Sequence, residues 1–302
     1  MKAHRNHDGV HIAATAGFCF GVRRAIDLAE KTARISKNRV YTLGPLIHNP
    51  QEVNRLKGHG IKALENVGKI KKATLILRTH GIPAAYKEKL ESSELNLVDA
   101  TCPFVKRAQD LVKKLHKGKY QVIIVGEKTH PEVVALVSYA NSTCCVVEKK
   151  SDLDKIKLAK KVGVVCQTTQ TPENFNEIID ALKAKRPDAV IFNTICMATI
   201  DRQNSARALA AKTGLMLVVG GKNSGNTKRL YEICSRLTKT MAIETASELK
   251  CAWFKGVSSV GITAGASTPK WIIENVKVKA EKLLAKNKAA KAVSGGKCDG
   301  RS

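Results

Sequence analysis

Three cysteines of the 302-residue chain stand in matching contexts. They are Cys19 in Gly17-Phe18-Cys19-Phe20-Gly21-Val22-Arg23, Cys102 in Ala100-Thr101-Cys102-Pro103-Phe104-Val105-Lys106, and Cys196 in Thr194-Ile195-Cys196-Met197-Ala198-Thr199. Each ends an apolar segment and opens a basic helical run. A thiolate at a helix N-terminus is favoured by the unpaired N–H groups and the positive end of the dipole. Three such thiolates suit an iron–sulfur cluster, and a cubane held at three corners leaves one iron open as a Lewis acid. The competing reading is three buried core cysteines, the usual fate of a single cysteine. Zinc is less well served, because the compact Cys-x-x-Cys pairs of structural zinc sites are absent. Cys144, Cys145, Cys166, Cys234, Cys251 and Cys298 lack the shared context and read as structural.

Three histidines precede Asn-Pro, Gly or Pro, and so lie on loops just before helices: His48, His80 and His130. Imidazoles there can donate to a phosphate or relay protons near neutral pH. Two further loops join a strand to a helix through glycines and small polar residues. One is Gly220-Gly221-Lys222-Asn223-Ser224-Gly225-Asn226, the other Gly265-Ala266-Ser267-Thr268-Pro269. Converging N–H groups and hydroxyls make such loops anion sites, and a capped helix start explains them equally well. Neither fits the Walker or dinucleotide pattern. Glu132 and Thr168 are a carboxyl and a hydroxyl on loops of the same kind, able to pass protons to a leaving oxygen. Each alone also reads as a helix cap.

These loops need a scaffold, and the sequence supplies an alternating one. Val10–Thr15, Ala73–Arg78, Asn96–Asp99, Gln121–Gly126, Cys144–Val147, Val162–Gln167, Ala189–Phe192, Leu215–Gly220 and Val257–Thr263 read as strands. Amphipathic runs at Val22–Ile35, Phe104–Leu115, Pro172–Lys185, Arg202–Lys212 and Pro269–Leu284 read as helices. The alternation predicts α/β units with parallel sheets, whose ligands sit beyond the carboxyl ends of the strands. The cysteine contexts recur at the spacing of a small α/β subdomain, which suggests three related subdomains bringing one cysteine each to a common centre. The formal charge is +26, and hydrophobic residues make up 43% of the chain, too many for a disordered protein. The surplus charge fits solvated helix faces, a phosphorylated substrate, an acidic protein partner or nucleic acid. Aromatic residues are 4%, few for stacking bases. No run is long and apolar enough to span a membrane, and Met1–Asp8 lacks the apolar region of a signal peptide. A cytoplasmic protein with free thiols is expected.

Taken together, these motifs resemble the 4-hydroxy-3-methylbut-2-enyl diphosphate reductase (IspH/LytB) family. The carriers, from Val10 to Leu284, are Ala16-Gly17-Phe18-Cys19, Gly44-Pro45-Leu46-Ile47-His48-Asn49, Thr79-His80-Gly81, Asp99-Ala100-Thr101-Cys102-Pro103, His130-Pro131-Glu132, Gln167-Thr168-Thr169, Ile195-Cys196-Met197-Ala198-Thr199, Asn223-Ser224-Gly225-Asn226 and Thr263-Ala264-Gly265-Ala266-Ser267. The resemblance implies three similar α/β subdomains in a pseudo-threefold trefoil around a central cluster cavity. It implies a 4Fe–4S cluster on Cys19, Cys102 and Cys196 with one open iron. His48, His80, His130, Ser224, Gly225, Asn226 and Ser267 would hold the substrate diphosphate or line its pocket. Glu132 would be the proton donor, with His130 and Thr168 beside it in the catalytic set. The implied reaction removes an allylic hydroxyl with two electrons and protons, in non-mevalonate isoprenoid biosynthesis. The chain departs from the family at Gly225, where a serine is common, and weaker or rearranged diphosphate binding is expected.

The expected organisation is an N-terminal strand at 10–19 packing with the third subdomain, subdomains at 20–101, 102–194 and 195–285, and a disordered basic tail at 286–302. The reductase needs an electron donor, and a positive surface suits a small acidic ferredoxin or flavodoxin. The alternatives are a basic RNA-binding protein, which lacks any RNA-binding signature, and a zinc-dependent hydrolase of a phosphorylated substrate.

Overall fold

The computed structural model describes residues 8–68, 70–140 and 144–295, with side chains to residue 289. In chain order the elements are β1 (Gly9–Ile12), α1 (Phe20–Ile35), β2 (Val40–Leu43), α2 (Pro50–Gly58), β3 (Ile61–Leu64), β4 (Thr74–Leu77), α3 (Ala84–Glu91), β5 (Asn96–Asp99), α4 (Pro103–Lys117), β6 (Gln121–Val125), α5 (Pro131–Ser138), β7 (Cys144–Val147), β8 (Val162–Cys166), α6 (Pro172–Lys185), β9 (Val190–Ile191), α7 (Met197–Ala210), β10 (Leu215–Val219), α8 (Gly225–Ser235), β11 (Lys239–Ile243), β12 (Ser259–Ala264) and α9 (Lys270–Gly295).

The strands form three four-stranded sheets, ordered β3-β2-β4-β5, β7-β6-β8-β9 and β1-β12-β10-β11. Every pairing is parallel. Read from their own first strands, the first two sheets share the order 2-1-3-4. The third repeats it with β11, β10 and β12 as strands 2, 1 and 3, and the chain's opening strand β1 fills the fourth place beside β12. Three similar α/β subdomains follow from one topology used three times. The chain divides into two compact units, residues 19–200 with the first two sheets, and residues to Phe18 with those from Asp201 onward with the third.

Crossover helices cover the sheets, so the central strands are mostly apolar: β6 from Val122 to Val125, β8, β10 and β12 are buried residue by residue. Leu217, Ile262, Phe254 and Val276 anchor the core of the third sheet. Ile123, Val164, Phe175 and Ile178 fill one face of the second, and Val112, Leu115, Ile124 and Leu136 the other. Leu43, Leu75, Leu77 and Ile82 form the core of the first. The helices start where the sequence marks them. Asn49 and Thr171 cap α2 and α6 by accepting from the N–H groups of Glu52 and Asn174, and Pro50, Pro103, Pro131 and Pro172 occupy opening turns.

Some elements differ from expectation. β2, β3 and β11 lie outside the strands read from sequence. β3 (Ile61-Lys62-Ala63-Leu64) and β11 (Lys239-Thr240-Met241-Ala242-Ile243) are sheet edges with polar residues toward solvent, so their apolar signal is weak. α7 starts at Met197, upstream of the expected Arg202. α9 runs to Gly295, into the stretch expected to be a disordered tail. Lysine and alanine are good helix formers, and a helix already nucleated extends through them at little cost. Residues 296–302, with Cys298, lie outside the described residues. No described helix is long and apolar enough to cross a membrane.

Candidate active site

The repeated topology gives each sheet the same three loops at the carboxyl ends of its strands. Loops after the first strands (β2, β6 and β10) carry His48, His130 and Ser224. Loops after the third strands (β4, β8 and β12) carry His80, Thr168 and Ser267. Loops after the fourth strands (β5, β9 and β1) carry Cys102, Cys196 and Cys19. Nine of the sequence-selected residues thus occupy three equivalent positions.

The thiols belong to the unit of residues 19–200. Cys19 and Cys102 are the N-cap residues of α1 and α4, and Cys196 immediately precedes α7. All three are half-buried and free of disulfides. A Cβ at Gly21 would overlap Cys102 Sγ and stand 4.0 Å from Cys19 Sγ, so only glycine leaves room for the two sulfurs there. Burial pushes the Cys102 thiol up, the N–H groups of Phe104 and Val105 pull it down, and the Cys19 and Cys196 thiols push it up again. The three sulfurs are therefore within electrostatic reach of one another. No three His, Cys, Asp or Glu side chains among the described residues converge tightly enough for a single metal ion. A cluster spreads its ligands over separate irons, so three soft donors on neighbouring helix starts fit a cluster better than a zinc ion.

Thr168 links these thiols to a carboxyl. Its N–H and Oγ1–H donate to Glu132 Oε1 and Oε2 at 2.7 and 2.8 Å. Its carbonyl accepts from the N–H of Cys196 at 3.0 Å and from Thr199 Oγ1 at 3.1 Å. Glu132 is 1% exposed, and burial raises its pKa to about 7 against the lowering pull of both Thr168 bonds. A buried carboxyl that holds its proton near neutral pH is suited to general acid catalysis.

The imidazoles gather beside it. Ring centroids of His48 and His80 are 4.2 Å apart, and His130 lies 5.8 and 5.7 Å from them. His130 Nδ1 accepts from the N–H of Glu132 at 3.2 Å as the cap of α5, which leaves the ring proton on Nε2. Burial, then the charges of His48 and Arg78, lowers His130 to about 4. Burial likewise lowers His48 and takes His80 well below the usual range. The trio is thus neutral at pH 7, a set of ring donors and acceptors with His130 buried and His48 and His80 half-buried.

The hydroxyl loops lie in the other unit, on neighbouring strands β10 and β12. Thr268 Oγ1 donates to Val219 O at 3.0 Å, tying the β12 loop to the end of β10. Ser224 caps α8 by accepting from the N–H of Thr227, and Gly225 opens that helix. Asn226 is 4% exposed, and neither polar atom of its amide has a hydrogen-bond partner. Such a group is costly unless something fills its bonds, and an anion with oxygens to share would do so. Ser267 is buried in the adjacent loop.

Sequence reasoning found the loop residues and missed two that shape them. Arg78, at the end of β4, donates from Nε to Gly81 O at 3.2 Å and acts on all three imidazoles. Arg78 is half-buried, and an arginine at a strand end two residues before a histidine turn is the signal that would have found it. Gln109 of α4 lies against Gly81, whose φ of 74° already favours glycine, and a Cβ there would strike the Gln109 amide. A glutamine within a helix gives no sequence signal of that contact. Among the structural cysteines, Cys166 and Cys234 are buried, Cys144 and Cys145 half-buried on β7, and Cys251 exposed.

Parallel sheets whose reactive side chains collect on the loops after their strands mark an α/β enzyme. The chain belongs to the LytB protein family, whose model matches residues 10–281. It is 47% identical over 266 residues to 4-hydroxy-3-methylbut-2-enyl diphosphate reductase of Geobacter metallireducens, covering 88% of this chain and 94% of that one. The Aquifex aeolicus reductase of the same name is 47% identical over 276 residues, 90% and 96% of the two chains. A solved structure of (E)-4-hydroxy-3-methyl-but-2-enyl diphosphate reductase, described as the terminal enzyme of the non-mevalonate pathway, aligns with TM-score 0.68 and 46% identity over 91% of this chain and 99% of its own. The E-1-hydroxy-2-methyl-but-2-enyl-4-diphosphate reductase from Plasmodium falciparum aligns with TM-score 0.85 and 29% identity over 88% and 86%.

Proposed function

We propose that this chain is an iron–sulfur oxidoreductase that removes the allylic hydroxyl of 4-hydroxy-3-methylbut-2-enyl diphosphate, giving isopentenyl and dimethylallyl diphosphates. Written for the reacting carbon, R–OH takes two electrons and two protons to give R–H and water. Membership of the LytB family and the relatives' activity support this reading over an RNA-binding protein or a zinc hydrolase. The observation that carries it is the Glu132–Thr168–Cys196 chain, which brings a protonated carboxyl to the loop of a ligand thiol.

Cys19, Cys102 and Cys196 would hold a 4Fe–4S cluster with one open iron. When bound, the cluster supplies electrons and a Lewis acid for the hydroxyl oxygen. Glu132 holds the proton for the departing oxygen, and Thr168 fixes both carboxyl oxygens so that the proton stays aimed. His48, His80 and His130 donate ring N–H bonds to substrate oxygens, with Arg78 adding positive charge behind them. An arriving diphosphate raises their affinity for protons and strengthens those bonds. Ser224, Asn226 and Ser267 offer hydroxyl and amide donors to phosphate, and Gly225 contributes its N–H in place of the hydroxyl common in the family. Anchoring the unreactive diphosphate helps orient the hydroxyl.

The boundaries 10–19, 20–101, 102–194 and 195–285 are the proposed division of the chain. A ferredoxin or flavodoxin is the proposed donor, and the cytoplasm the proposed compartment. The test is turnover of the allylic diphosphate by anaerobically purified protein with a chemical reductant. Formation of both product diphosphates, lost when any of the three cysteines becomes serine, supports the reading. Full turnover by iron-free protein refutes it.

A further inference from the structure

Large apolar side chains stand in solvent beside all three ligand cysteines. Phe20 follows Cys19 and is 65% exposed, Met197 follows Cys196 at 62%, and Phe104 comes two residues after Cys102 at 41%. Among the described residues, most other exposed apolar side chains are scattered singly and need no explanation. Phe20 and Phe104 share a location, because the helix starts that carry them meet, and Met197 follows the third cysteine, whose thiol is within electrostatic reach of Cys102. The Gly21 backbone packs on Cys102 Sγ, and Arg24 Nη1 donates to Thr101 O at 3.4 Å, which sets the start of α1 against the start of α4.

Charge accompanies them in a repeated pattern. α1 opens Phe20-Gly21-Val22-Arg23 and α4 carries Phe104-Val105-Lys106-Arg107. In each, an exposed arginine lies one turn beyond the exposed phenylalanine, on the same side of the helix. A groove along α4, lined by Pro103, Lys106, Arg107, Asp110, Leu111 and Lys114, extends the cationic strip. The acidic groups nearby are Asp99, 3.8 Å from Lys106, Asp110, 3.6 Å from Lys113, Asp27, exposed on α1, and Asp201, exposed one turn beyond Met197 on α7, against the more numerous cations of α1 and α4. An apolar centre with a cationic rim is the anatomy of a docking site for an acidic protein, the rim steering and the centre holding.

We propose that Phe20, Arg23, Phe104, Arg107 and Met197 form the docking face for a small acidic one-electron carrier protein. The proposal rests on the reductase reading, and locates where electrons enter. A carrier too large for a substrate pocket must deliver electrons at the surface nearest the thiols, and this is that surface. Each docking oxidises one carrier by one electron and reduces the bound cluster by one. Two dockings and two protons convert R–OH to R–H and water.

The test uses the full-length protein, an acidic [2Fe–2S] ferredoxin as probe, and two readouts. The first is calorimetric binding of oxidised ferredoxin at low salt, which requires no turnover. The second is ferredoxin-driven turnover compared with turnover driven by a small reduced viologen. The double reversal Arg23→Glu with Arg107→Glu is set against Lys37→Glu with Lys117→Glu, which lie past and at the far ends of α1 and α4. The first pair is expected to weaken binding and ferredoxin-driven turnover at least about tenfold and to flatten their salt dependence, with the viologen rate unchanged. The second pair is expected to change little. Phe104→Ser should weaken binding while keeping the salt dependence. Equal losses from both pairs, or no loss from the first, would overturn the proposal. So would self-association of the chain that disappears in Phe104→Ser, since a second copy would then own the face. Absence of viologen-driven turnover in the wild type would instead count against the reductase reading, and the binding result would still judge the face.

Discussion

The first and third sheets use one topology to present two kinds of polar side chain. After β2 and β4 stand His48 and His80, imidazoles packed ring on ring and kept neutral by burial. After β10 and β12, the equivalent places hold Ser224 and Ser267, with Asn226 in the first turn of α8. Imidazoles can gain a proton when an anion arrives, whereas hydroxyls and amides only share hydrogen bonds. The second sheet mixes the two, with His130 after β6 and Thr168 after β8, and adds Glu132, whose backbone N–H donates to His130 Nδ1 and whose carboxyl accepts from Thr168. The fold decides where a side chain stands, and the loop sequence decides whether that place binds, donates or relays. The fourth-strand loops are the exception, since all three place a cysteine at a helix start.

The largest expected departure comes from Glu132. Glu132→Gln should lower turnover about 10²–10⁴-fold with little change in KM, as removal of a general acid does. Wild-type turnover should fall as pH rises through about 7, because the donor acts protonated, and that limb should vanish in the variant. Steady-state kinetics from pH 5.5 to 9 check both. A profile flat through pH 7 would remove Glu132 from the donor role.

The same shift has a consequence for stability. A carboxyl whose folded pKa of about 7 exceeds its usual 4.5 stabilises the fold fully below 4.5, and that contribution is lost as pH rises through 7. The loss is on the order of 3 kcal/mol. His130, lowered to about 4, acts oppositely as pH falls below 6.5. Glu132→Gln should therefore melt higher than wild type at pH 8 and close to it at pH 5. Thermal unfolding at the two pH values measures this, and a pH-independent gap would contradict it.

The contrast between imidazole and hydroxyl loops is sharpened by paired truncations. His80→Ala should raise KM about 10- to 100-fold, the range of a charge-assisted hydrogen bond to substrate. Ser267→Ala, at the equivalent place, should raise it less than about tenfold. Equal effects would mean that the two loops do the same work. The smallest change is expected from Gly225→Ser, which restores the hydroxyl common in the family and should lower KM a few-fold at most.

Much of this site was legible because its residues sit where chain direction changes. His130-Pro131 and Cys102-Pro103 announce a helix start, and a reactive side chain immediately before the proline falls on a strand-end loop. The strongly apolar β6, β8 and β10 were equally plain. β3 and β11 escaped because an edge strand shows solvent its polar residues. The far end of α9 escaped because lysine and alanine read alike in a solvated tail and in a helix extended from a packed stem. Arg78 and Gln109 act through tertiary contact with the Gly81 turn, which no local pattern encodes. The pairing of β1 with β12 joins residues separated by most of the chain; the expected packing of the N-terminal strand with the third subdomain anticipates that neighbour, and no local pattern encodes its register.

On the proposed function, Cys19, Cys102 and Cys196 hold one cluster together. Iron and sulfide assays with electron paramagnetic resonance, on protein purified without air, test it most directly. Iron and sulfide at the 4Fe–4S ratio per chain and a cluster signal on reduction are expected, with both lost in Cys102→Ser. Unchanged iron and sulfide in that variant would contradict it.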